Sequence, residues 1–113
     1  QRIIDALEGN GDPDDNISRL FANYGNMPGH DVVALTAVMR RTGGTLTTAM
    51  VASATCETLV AIGDRDFAGP GEVLADALPH ATLKVLRNVD HFATPESFGF
   101  IDAALEFLDA VPA

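Results

Sequence analysis

Apolar positions in the first fifty residues recur at helical spacing. Ile3, Ile4 and Leu7 share one face, and Gly9 is placed to end that helix. The stretch "GNGDPDDN" is rich in turn formers and breaks the pattern. Ile17, Leu20, Phe21 and Tyr24 then repeat at i, i+3, i+4, i+7, with Gly25 as a stop. Asp31 is positioned to cap a third helix whose apolar stripe is Leu35, Val38 and Met39, and Gly43-Gly44 would close it. Thr45 to Ala52 reads as one further short helix.

The rhythm changes at Cys56. "TLVAIG", Thr58 to Gly63, is a continuous apolar run of strand length, the pattern of a strand buried on both faces. Pro70 to Leu78 reads as a short helix closed by Pro79 and His80, and "TLKVLR", Thr82 to Arg87, as a second strand. Thr94 is expected to cap a last helix with Pro95 at its first position and Phe98, Ile101, Leu105 and Leu108 as its buried stripe. The order strand, helix, strand, helix predicts two parallel strands joined by a right-handed crossover, and so an α/β fold.

Two strands are fewer than a parallel sheet requires. The chain is therefore expected to be one partial domain, the C-terminal part of a larger α/β domain. Residues 1–55 would form a helical segment and residues 56–113 a β-α-β-α unit. The first strand would then lack a neighbour on one side, and the last helix would be partly bare. An open apolar edge is a template for pairing, so self-association of the chain is expected.

Composition narrows the classes. The chain has 113 residues and is 47% hydrophobic, which argues against disorder. No apolar run approaches the roughly 18 residues of a membrane span, and the start has no h-region of a signal peptide. Seven basic residues against sixteen acidic ones give a net charge of -9, and Arg40-Arg41 is the one tight cationic pair. Nucleic acid is thus a poor partner, since phosphate binding needs clustered cations. The single cysteine, Cys56, permits neither an internal disulfide nor a cysteine-rich metal site, and a reducing cytoplasm is the expected compartment. His30, His80 and His91 are too dispersed for a zinc motif, and "DPDD" lacks the spacing of a calcium loop. The glycines of "GDRDFAGPG" do not make a dinucleotide fingerprint. No metal and no cofactor is expected.

The candidate chemistry lies after the strands. Open α/β sheets carry their sites at the carboxyl ends of strands. Asp64 and Asp66 follow the first strand and His91 follows the second. Each has a plain alternative: the acids as turn residues, His91 as a loop histidine bonded to backbone, Asp90 as a capping acid. Taken together, an acid and a histidine at successive strand ends are the arrangement in which a carboxylate fixes one imidazole nitrogen and leaves the other as a base.

These residues resemble the C-terminal part of the α/β-hydrolase fold family. "TLVAIGDRD" is similar to that family's strand followed by G-x-x-D, with Gly63 and Asp66 on the motif. "LPHATLKVLRNVDHF" resembles the following strand and its histidine, with His91 on the motif, and "ALEFLDA" the closing helix. The region from "RIIDALEGNGDPDDN" to "TLTTAMVASA" is similar to the helical segment before the acid-bearing strand in small bacterial members. Asn88 stands where glycine is common and Glu57 where proline is frequent. The resemblance implies hydrolysis of an ester or related acyl bond on a small-molecule acyl substrate. Asp66 would be the triad acid and His91 the base. No G-x-S-x-G elbow occurs, and Ser18, Ser53, Ser97 and Cys56 lack its flanking glycines. The nucleophile would therefore lie in sequence before Gln1, and the isolated chain would be inactive. The alternatives are a non-hydrolytic member of the same fold (lyase, acyltransferase, haloperoxidase) and a non-enzymatic protein-binding module.

Overall fold

The computed structural model describes residues 1–41 and 44–110. The chain divides into two compact units, Gln1–Gly44 and Thr45–Ala113. Gly43, expected as a helix stop, lies outside the described residues.

The first unit holds α1 (Arg2–Leu7), α2 (Asn16–Gly25) and α3 (Val32–Met39). Short helices rarely persist alone, and two devices hold these. One is capping. Asp15 accepts the Ile17 and Ser18 amides at 3.1 and 3.2 Å and the Ser18 hydroxyl at 2.7 Å. Asp31 accepts the Val33 and Ala34 amides, both at 3.0 Å, as its place before the apolar run predicts. The Ser18 bonds, with Arg2 3.2 Å away, hold the Asp15 carboxyl below its ordinary range. The other device is packing: α1 contacts both α2 and α3 and buries Ile4, Ala6 and Leu7. The predicted stripe of α3 needs correction. Leu35 is half-buried, but Val38 and Met39 are exposed, and Thr36 is buried instead. Six-residue α1 offers α3 little surface, and Thr36 tolerates burial because its hydroxyl donates to the Val32 carbonyl at 2.8 Å.

The second unit runs α4 (Thr48–Ala52), β1 (Thr58–Gly63), α5 (Glu72–Ala77), β2 (Ala81–Leu86) and α6 (Phe98–Phe107). The two strands pair in parallel, Thr58 opposite Ala81 through Gly63 opposite Leu86. This is the α/β arrangement the sequence predicts, in its coarse form. The register puts Val60, Ile62, Leu83 and Val85 on one face and Leu59, Ala61, Lys84 and Leu86 on the other. Gly71, at the head of α5, lies against the first face: a Cβ there would sit 2.7 Å from Ile62 and 2.9 Å from Leu83. α6 contacts both strands, with Gly99 beside Leu86 on the second face.

Three details differ from the sequence pattern. β1 is mostly half-buried, with only Val60 and Gly63 buried, because a two-stranded sheet cannot enclose it. Thr94 does not cap α6. It opens a separate 3-10 turn, Thr94–Glu96, which contains Pro95, and Ser97 precedes α6. Thr94 instead donates its hydroxyl to the Asp90 carbonyl at 2.8 Å. The α6 stripe is also not buried: Phe98 is 83% exposed, Leu108 68% and Ile101 39%, while Leu105 is half-buried. Among the described residues no helix is long and apolar enough to cross a membrane.

Candidate functional site

The loop after β1 turns at once. Asp66 donates its amide to the Gly63 carbonyl at 3.1 Å, and its own carboxylate accepts the Ala68 amide at 2.8 Å. That closed turn aims the Asp66 side chain inward, where it is only 7% exposed.

The loop after β2 is fastened to the first. Asp64 donates its amide to the Leu86 carbonyl at 2.9 Å, and Arg65 donates to the Val89 carbonyl at 3.0 Å. Asp64 also accepts the Asn88 amide on its carboxylate at 2.7 Å. Asn88 adopts φ 58°, the left-handed region that asparagine tolerates better than most residues. The Val89 backbone crosses directly over Gly63, where a Cβ would lie 2.0 Å from the Val89 carbonyl oxygen. The glycine of G-x-x-D is therefore required by close approach of a neighbouring chain segment.

These constraints bring His91 to Asp66. Nδ1 of His91 lies 3.0 Å from one carboxylate oxygen of Asp66 and 3.2 Å from the other. An ionised carboxylate only accepts, so Nδ1 carries the proton and Nε2 is the basic nitrogen. The His91 side chain is 42% exposed, so the ring is reachable while its anchor is covered. Phe67 and Phe92 flank it, with ring centroids 4.7 and 5.5 Å away. Asp90 steadies the next turn by accepting the Ala93 amide at 2.9 Å, the capping role expected of it.

The two expected acids thus divide: Asp66 meets the imidazole and Asp64 holds backbone. The two flanking phenylalanines and the second job of Asp64 escaped the sequence pattern. Phe92 is the sequence neighbour of His91, whereas Phe67 reaches the same ring only through the strand register.

Ser18, Ser53 and Cys56 make their contacts elsewhere. Ser18 belongs to the Asp15 cap, and Ser53 donates to the Met50 carbonyl at 2.7 Å. Cys56 precedes β1 beside Thr58, at the opposite end of the strand from Asp66. Ser97 precedes α6. Among the described residues no cluster of three or more His, Cys, Asp or Glu side chains is placed to hold a metal ion. A scan against protein-family models finds no match, and neither a search of curated proteins nor one of solved structures finds one.

An exposed imidazole oriented by a covered carboxylate can accept a proton from a hydroxyl or a water and return it to a leaving group.

Proposed function

We propose that this chain is the C-terminal portion of an α/β-hydrolase-fold enzyme. It supplies the triad acid, Asp66, and the histidine, His91, for hydrolysis of an ester or related acyl bond through a serine nucleophile outside residues 1–113. The observation that carries this reading is the 3.0 Å contact of His91 Nδ1 with Asp66 at the carboxyl ends of neighbouring parallel strands. In a bond of this kind the acid holds the tautomer and favours the imidazolium that forms when the base takes a proton. The apolar side chains bare on α6 agree with it, since a wider sheet and its helices would cover Phe98 and Ile101.

The test is labelling of the natural gene's product, read upstream of Gln1, with a fluorophosphonate, alongside p-nitrophenyl ester turnover. The expected result is a labelled serine on a G-x-S-x-G elbow, with labelling and turnover lost in His91→Ala. A product that contains no such elbow, or that keeps full turnover in His91→Ala, would sink the proposal.

A further inference from the structure

We propose that Asp64 is a positioning residue for His91, acting through the backbone of Asn88. Its carboxylate accepts the Asn88 amide at 2.7 Å across 24 residues of sequence. That span separates it from the local side-chain turns that aspartate makes with its own neighbours. The bond is a short, charge-assisted one, and such bonds are the stronger and more directional kind. It falls where the loop most needs fixing. Asn88 is in the left-handed region, three residues before His91, and the following residue already rides on Gly63. The Asp64 and Arg65 amides bond the Leu86 and Val89 carbonyls on either side of Asn88. The Asp64 carboxylate closes the gap between them, so one dipeptide grips the β2 exit at three successive points. The same dipeptide leads directly to Asp66. Acid and histidine are therefore registered to one another by a common anchor, and a shift of about 1 Å in the loop would take Nδ1 out of good hydrogen-bond range. The catalytic consequence rests on the functional reading above; the geometric assignment does not.

The experiment is long-range proton–nitrogen NMR of the histidine rings in the 113-residue chain. The wild type is expected to show His91 in the Nδ1–H tautomer, and Asp66→Asn to mix the tautomers. Asp64→Ala is expected to mix them likewise with the β1 and β2 amide signals preserved, and Asp64→Asn, which keeps an acceptor oxygen, to restore the wild-type tautomer. An unchanged His91 tautomer in a folded Asp64→Ala chain would overturn the assignment. Should Asp64→Ala not fold, the Asn88 amide in Asp64→Asn decides. Exchange about fivefold faster is expected from losing the ionic part of the bond, and an unchanged rate overturns it. In the esterase assay Asp64→Ala is expected to lower kcat by up to about 100-fold with KM little changed, and Asp64→Asn to recover most of it. Tautomer changes without any esterase in the natural gene's product would leave Asp64 its role and remove the functional reading.

Discussion

The two units fold by different means. In Gln1–Gly44 the fixing contacts are mostly local: Asp15 to Ile17 and Ser18, Asp31 to Val33 and Ala34. The ion pairs of Arg2 with Asp15 and of Arg40 with Glu8 are the longer-range exceptions among the described residues. In Thr45–Ala113 neither α5 nor α6 has a side-chain cap, and the decisive bonds join residues 24 and 25 apart. Local bonds define helices; distant ones define a site. The candidate chemistry sits where order depends on strand register, because only register makes two far-apart side chains meet at fixed distance.

The comparison can be broken at several points, with effects of decreasing size. Under the proposed function, Asp66→Asn should lower ester turnover of the natural gene's product by about 10⁴-fold, the scale seen when a triad carboxylate is neutralised. Its effect on stability should stay within about 1 kcal/mol, as for a hydrogen bond with one exposed partner. Steady-state kinetics and thermal unfolding of one preparation check both. Gly63→Ala should destabilise the second unit by about 3 kcal/mol or more, since the new methyl would collide with the Val89 carbonyl. Amide exchange should show the loss in β1 and β2 and spare α1 to α3. Asp31→Ala should do the reverse at smaller scale, loosening α3 by about 1 kcal/mol and leaving the His91 tautomer untouched.

The smallest effect is one of pH. Ser18, and then Arg2, hold the folded Asp15 carboxyl below its unfolded value. Its contribution to α2 is complete above the unfolded aspartate range and is lost as pH falls through the lower folded value. Protection of the α2 amides, taken relative to their intrinsic exchange, should therefore fall on strong acidification, and Ser18→Ala should move that fall to higher pH. An identical acid profile in Ser18→Ala would show that the cap does not depend on the serine.

How much was legible follows the same division. β1 was readable to the residue, because Thr58 to Gly63 is an unbroken apolar run ended by glycine. The Asp31 cap was readable because capping is a relation between near neighbours. The pairing of Asp66 with His91 was readable as a consequence of order, once two parallel strands were inferred. Burial was not. Val38, Met39, Phe98 and Leu108 have helical spacing and are nonetheless exposed, because periodicity names the apolar side of a helix and not what lies against it. The work of Asp64 was hidden for a related reason: its partner is a backbone amide, and backbone amides carry no residue signature.

The 25-residue separation of Asp66 and His91 gives their bond a second use. In an unfolded chain no carboxylate is held against Nδ1, so nothing there favours the Nδ1–H tautomer. Only when β1 and β2 are in register does the Nδ1–H tautomer dominate. The ring is thus a built-in gauge of alignment. A chain slipped by a single position would turn its side chains to the wrong faces, and its histidine would read as that of an unfolded one. Under the proposed function, a misaligned copy would therefore carry no oriented base with which to act on whatever it meets.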